Sequence, residues 1–181
     1  MRLGSGFVAT TQERYRNHRR TPILGGMSRR EQIMMTTDEQ RAFWEDQRTL
    51  HVASLNSDGT PHLVPMWFAW VDGNLAFWTY GRSQKIVNLR RDPRITVMGE
   101  AGDKYEELRG ITIVGRAEII EEREPVYTFG MDVFQRYWGP VEGDLTEVRA
   151  GVELMGAKRV LVVVHPEDTA SWDHRKLGGV Y

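Results

Sequence analysis

A chain of 181 residues and 20.9 kDa has room for one full domain, and 40% hydrophobic with 27% charged residues is the make-up of an ordinary globular protein, not of a disordered or fibrous one. A formal charge of −1 gives no global attraction to nucleic acid or to an anionic membrane, and the lack of cysteine removes disulfides, thiolate metal sites and cysteine nucleophiles. No apolar run is long enough to span a bilayer and no apolar signal core opens the chain, so the expectation is a cytoplasmic protein.

The charge is unevenly placed. Residues 1–30 carry seven arginines against Glu13 alone, a local +6 that leaves −7 on the rest. Such a leader reads as a solvated arm, with a transit peptide, an arm for anionic ligands or a start upstream of Met27 as alternatives. The domain division that follows is a basic N-terminal extension over 1–36 and a folded domain over 37–181.

Thr36 with Glu39 and Thr37 with Gln40 form overlapping capping boxes, which predict a helix over about 37–47 carrying Phe43 and Trp44. Thr49 to Leu55 and His62 to Val71 are β-prone runs joined by the turn-forming Asn56-Ser57-Asp58-Gly59-Thr60-Pro61. Asp72-Gly73 then marks a tight hairpin into Leu75–Thr79. Ser83 can cap a short basic helix that ends at Asp92-Pro93, because the residue before proline avoids the helical region. Strands are predicted at Arg94–Gly99 and Gly110–Ile120, with Gly115 a candidate bulge. A second long helix has Pro125 one residue inside its start and an apolar face of Val126, Phe129, Val133, Phe134 and Tyr137. After a Gly139–Asp144 loop, Val160–Val164 is an apolar strand bounded by Pro166. Six mostly hairpin-connected strands predict a mainly β fold, a closed or nearly closed antiparallel barrel with flanking helices.

The chain lacks the glycine-rich dinucleotide and phosphate loops and the serine elbow of hydrolases. The five histidines (His18, His51, His62, His165, His174) have no metal-ligand spacing, so no metal site is expected. Glu118, Glu121, Glu122 and Glu124 cluster in a connection and read as a solvated face. One segment stands out, Trp78-Thr79-Tyr80-Gly81-Arg82-Ser83-Gln84-Lys85, which leaves a strand and enters a helix. Its hydroxyls, its cations and the free N–H groups of the helix start converge as a phosphate ester requires, although Ser83 as a plain cap with solvated Arg82 and Lys85 is the alternative.

Together with the Pro65-Met66-Trp67-Phe68 strand, the Asp-Gly turn and Asn88-Leu89-Arg90-Arg91-Asp92-Pro93-Arg94, this segment resembles the pyridoxamine 5′-phosphate oxidase-like superfamily, most closely its coenzyme F420-dependent oxidoreductase branch. The resemblance spans about residues 37–165. It implies an FMN-binding-protein-like split β-barrel, a homodimer with F420, or alternatively FMN, in two grooves at the subunit interface. It assigns the cofactor phosphate to Thr79, Arg82, Ser83 and Lys85, and the tricyclic ring to the strand Val64, Pro65, Met66 and Trp67. The chain ends Ser171-Trp172-Asp173-His174-Arg175-Lys176-Leu177, without the Arg-rich substrate motif of true pyridoxamine phosphate oxidases, which argues against that reaction.

A flavin or deazaflavin brings its own hydride chemistry, so no catalytic triad is required and no catalytic residue is singled out. Trp67, Trp78 and Trp172 are candidates for stacking, with core or interface packing as the alternative, and Tyr80 or His62 for proton donation, with a structural role as the alternative. The expected activity is hydride transfer between bound F420 or FMN and a small conjugated or quinoid molecule. The competing readings are a non-catalytic carrier or sensor and a nucleic-acid-binding barrel using the basic Arg82–Arg94 stretch; nucleic acid and membrane are not expected partners. Arg90, Arg91 and Arg94 are expected to extend the positive surface toward the carboxylate-bearing tail of F420.

Overall fold

Residues 28–140 and 143–178 are described in a computed structural model of the chain. Most of the basic leader lies outside them. A four-residue helix α1 (Arg29–Gln32) precedes α2 (Thr37–Asp46), which starts where the capping box predicts: Thr36 Oγ1 accepts from the Glu39 N–H at 3.3 Å and Glu39 Oε2 accepts from the Thr36 N–H at 2.6 Å. Strands β1 (Leu50–Leu55) and β2 (Pro61–Met66) form the first hairpin. Strands β3 (Ala69–Val71) and β4 (Asn74–Tyr80) form the second, turning on Asp72 and Gly73, both at positive φ. Helix α3 (Gln84–Arg91), β5 (Arg94–Ala101), β6 (Arg109–Ile120), α4 (Arg123–Trp138), α5 (Thr146–Gly156) and β7 (Arg159–Asp173) follow.

The sheet has seven strands where the sequence predicts six, in the order β2-β1-β5-β6-β7-β4-β3. The run His62–Val71 is not one strand. It breaks at Trp67-Phe68, because the Phe68 side chain turns fully into the core and its N–H donates to Tyr137 Oη at 3.0 Å instead of to a ladder. Only those two residues separate the two outermost strands, and three Cα steps reach at most about 11 Å. The sheet must therefore curl until its ends meet, which gives the split barrel.

Two further elements differ from the sequence reading. The last strand continues through Pro166 to Asp173, because Gly115 pairs with Pro166 and Val114 with Asp168, leaving Glu167 as the extra residue of a bulge. The irregularity falls at the predicted Gly115, with the inserted residue on β7; a Cβ on Gly115 would sit 2.2 Å from the His165 carbonyl oxygen. Helix α5 was not foreseen. Pro125 stands at the third position of α4, still within the turn whose N–H groups lack helical acceptors.

Inside the barrel, α2 supplies Phe43 and Trp44, α3 supplies Ile86 and Leu89, and the strands supply Leu50, Val52, Phe77, Ile95, Val97 and Ile111. Outside it, α4 and α5 cover β3, β4 and β7 through Val126, Phe129, Val133 and Val152 against Ala76, Trp78, Leu161 and Val163. Strands β4 and β7 are covered on both faces, which is why Val160–Val164 reads as an unbroken apolar run. Residues 28–36 lie against β7: the Met35 N–H donates to Ser171 Oγ at 3.0 Å and the Asp173 N–H to the Ile33 carbonyl at 2.7 Å. Among the described residues no helix is long and apolar enough to cross a membrane, and no cluster of His, Asp and Glu forms that could hold a metal.

Candidate functional site

Where β4 ends and α3 begins, the chain brings together three of the four residues singled out for phosphate. Lys85 folds back along the first turn of α3, and its Nζ donates to Thr79 Oγ1 at 3.0 Å. Lys85 is only 9% exposed and Thr79 is buried. One bond leaves further ammonium donors in a buried place, and no carboxylate pairs with Lys85 among the described residues. Burial first, and the nearby Arg159 guanidinium second, hold the Lys85 ammonium below the usual lysine range. Such a cation is stabilised by an anion that the chain itself does not supply.

Ser83 occupies the N-cap position of α3 and makes no cap bond; its buried Oγ has no partner. It is not the plain helix cap of the alternative reading. The Gln84 and Lys85 N–H groups belong to the first turn, where helical geometry offers no acceptor. Arg82 is exposed at the rim. A second polar knot fixes this turn against the sheet: the buried Asn88 donates through Nδ2 to Ser54 Oγ at 3.2 Å and Asn56 Oδ1 at 3.0 Å, and accepts from Gln84 Nε2 at 2.9 Å. The local pattern gives Asn88 no role, since its partners Ser54 on β1 and Asn56 just beyond it lie 34 and 32 residues away.

The residues assigned to the ring divide by the pleat. Val64 and Met66 turn toward the barrel core, whereas Pro65 and Trp67 are exposed. Side chains that meet a ring on the outer face of β2 are therefore Pro65 and Trp67, and Val64 and Met66 present backbone only. Strand β2 is an edge of the sheet and carries Pro61 and Pro65, placed as edge strands allow. Ser54, which holds α3, pairs with His62, and Leu50 pairs with Met66 four residues further along, about 13 Å away. Trp67 is 47% exposed and stacks on Tyr137 at 4.5 Å; the Tyr137 hydroxyl, pinned by the Phe68 N–H, donates to the Arg48 carbonyl at 2.8 Å. Trp78 is buried under α4 and α5, and Trp172 packs across the sheet on Gly110, so both serve packing.

Beside Ser83 opens a cleft of about 770 Å³ between the end of β4, the β6–α4 connection and the start of β7. Lys158 and Arg159 line it and were missed from sequence, because the basic pair acquires a place only once α5 and the Tyr80–Arg159 pairing are known. Arg159 lies over the rings of Trp78 at 4.5 Å and Tyr80 at 5.0 Å. The arginines expected to extend the positive surface are engaged locally instead. Arg90 pairs with Glu121 at 2.6 Å, Arg91 donates to the Leu55 carbonyl, and Arg94 pairs with Asp92 at 2.6 Å, pulling that carboxyl down to about 2 by hydrogen bonding.

A curled antiparallel sheet closed by a two-residue crossing, with a cation and a hydroxyl buried at a strand-to-helix turn, defines a split β-barrel of the flavin-binding type. Residues 36–173 match the family model described as pyridoxamine 5′-phosphate oxidase, and the chain belongs to that family. It is similar to a conserved hypothetical protein from Mycobacterium tuberculosis, with 42% identity over 86% of this chain and 95% of that one and a TM-score of 0.77. An F420 reductase is 27% identical over 72% of this chain and 94% of its own, with a TM-score of 0.54. A heme storage protein from Vibrio cholerae shares the fold at 16% identity, covering 77% and 95% with a TM-score of 0.60. No curated protein matches the chain.

Proposed function

We propose that this chain is an oxidoreductase that passes a hydride between bound coenzyme F420, or FMN in its place, and a small conjugated or quinoid molecule. The observation that carries the reading is the buried, anion-seeking Lys85 beside Thr79 and the unpartnered Ser83 Oγ. A phosphate ester fits these donors: Lys85 and Ser83 with the first-turn N–H groups hold it, Thr79 orients the ammonium, and Arg82 adds charge from the rim. The ring lies along β2, against Pro65 and Trp67 and the backbone of Val64 and Met66. When bound, the deazaflavin or flavin supplies the hydride chemistry. The chain's part is to anchor, orient and exclude water, which accounts for a site without a triad. The similarity to an F420 reductase favours F420 over FMN.

A second copy of the chain completes the groove in this reading. Two cross-strand rows, Leu63-Ala53-Thr96-Val114 and Pro65-His51-Met98-Thr112, present a largely apolar outer face on β2, β1, β5 and β6, with Leu63 63% and Val114 45% exposed. Burying that face in a homodimer stabilises what a monomer leaves in water.

The test is anaerobic: chain loaded with reduced cofactor is mixed with enones or quinones, and re-oxidation is followed by absorbance. Faster re-oxidation than for free cofactor supports an enzyme. Slower re-oxidation with every acceptor makes the protein a carrier.

A further inference from the structure

The cleft beside Ser83 holds more positive charge than one phosphate ester requires. Arg90 is neutralised by Glu121, and Arg123 Nη1 is committed to the Gly156 and Ala157 carbonyls at 3.2 Å each. Arg82, Lys158 and Arg159 form no ion pair among the described residues, in a chain whose formal charge is −1. Arg159 is held in place by its stacking on Trp78 and Tyr80 and by donation from Nε to the Met155 carbonyl at 3.2 Å. It is near enough to Lys85 for the two cations to repel, which ties the cleft to the phosphate site electrostatically.

We infer that this cleft is a second anion subsite, in which Arg82, Lys158 and Arg159 take carboxylate or phosphate groups that the cofactor carries beyond the phosphate at Lys85. The inference rests on the cofactor reading above and deepens it. The cleft opens directly from Ser83 and Gly81, so a ligand anchored by phosphate at α3 enters it without crossing the protein. Its volume of about 770 Å³ is several times what a phosphate group fills. The chemistry selected is an extended polyanion: the lactyl-oligoglutamate tail of F420 qualifies, and FMN, which ends at its phosphate, leaves the cleft to water. Arg90 lines the cleft with Glu121 as its partner, and Arg91 and Arg94 do not line it.

The experiment compares the full chain with a Lys158→Glu variant, at an exposed position outside both the packed core and the residues assigned to the phosphate. Titrations use coenzyme F420 and FMN at low and high salt. F420 binding weakens about fivefold to twentyfold at low salt, the loss shrinks at high salt, and FMN binding is unchanged. Equal losses for both cofactors, or no loss for F420, overturn the subsite while leaving the cofactor reading standing. If neither cofactor binds the unaltered chain, the cofactor reading fails. The subsite is then judged by citrate alone, a small tricarboxylate: it raises the melting temperature of the unaltered chain and not of the variant, and equal shifts overturn the subsite.

Discussion

Lys85 Nζ donates to Thr79 Oγ1 at 3.0 Å across the strand-to-helix turn, and both side chains are buried. An ammonium held this way and given no carboxylate costs folding energy until an anion arrives. Lys85→Met should therefore weaken F420 and FMN binding by about tenfold to a hundredfold, the value of a charge-assisted bond to phosphate. The same change should leave the cofactor-free protein as stable or more so, because a buried unpaired charge is replaced by a methylene chain. Titration calorimetry and thermal melting check the two halves.

The lowered Lys85 pKa also sets a pH dependence. Folding releases a proton from a lysine whose folded pKa lies below its unfolded one, so cofactor-free stability should rise as pH climbs from the folded value toward the unfolded value near ~10.4. Below both values the penalty is fully present. The rise should vanish in Lys85→Met and flatten when cofactor is bound, since the phosphate restores the lysine's proton affinity. Denaturant melts across the alkaline range measure it; an identical profile in Lys85→Met would show that Lys85 is solvated.

Ser83→Ala separates binding from stability. With no partner for its buried Oγ, removal should cost the free protein nothing measurable. Binding should weaken by about twofold to tenfold, one neutral hydrogen bond to the ligand. A variant that loses stability and keeps affinity would mean that Ser83 acts as a cap.

How far the sequence carries depends on whether the deciding contact is local. The Thr36 capping box, the Asp72-Gly73 turn and the Asp92-Pro93 stop all read correctly, and Thr79 and Lys85 meet as their closeness in sequence allows, because each rests on residues within six positions of one another. The strand break at Phe68 depends on Tyr137, and the role of Asn88 on Ser54; neither partner is visible from the local pattern. Helix α5 hides because Leu154 is 81% exposed and Gly151 and Gly156 interrupt its periodicity. The strand past Pro166 hides because proline is a stop signal, overridden here by the bulge opposite Val114 and Gly115. Arg90 and Arg91, expected to extend the positive surface, meet Glu121 and the Leu55 carbonyl, partners 31 and 36 residues away that appear only in the fold.

Trp78 packs against two glycines of the covering helices, and Gly130 is the tighter. A Cβ there would lie 2.6 Å from Val152 Cγ1 and 2.8 Å from the Trp78 ring. Gly130→Ala gains helix propensity of about 1 kcal/mol and should still destabilise by about 1–2 kcal/mol net, as overpacking forces Trp78 off its position. Chemical denaturation measures the loss, and a stabilised variant would mean that α4 shifts freely.

Dimer formation through the outer sheet face should be abolished by placing charge in the cross-strand row. Leu63→Arg with Val114→Arg should give a folded monomer by light scattering, where the unaltered chain gives twice the chain mass. A monomeric unaltered protein that still binds cofactor would contradict the shared groove.

The central claim, that the Thr79–Lys85 turn anchors a phosphorylated deazaflavin or flavin, is tested most directly by producing the chain in a host that makes both F420 and FMN. The absorption spectrum and mass of what co-purifies, and its affinity on re-titration, are then measured. The account predicts a phosphorylated tricycle bound at micromolar concentration or tighter, F420 in preference to FMN, and lost in Lys85→Met. Failure of both to bind at micromolar concentration, or equal binding by the Lys85→Met protein, would contradict it.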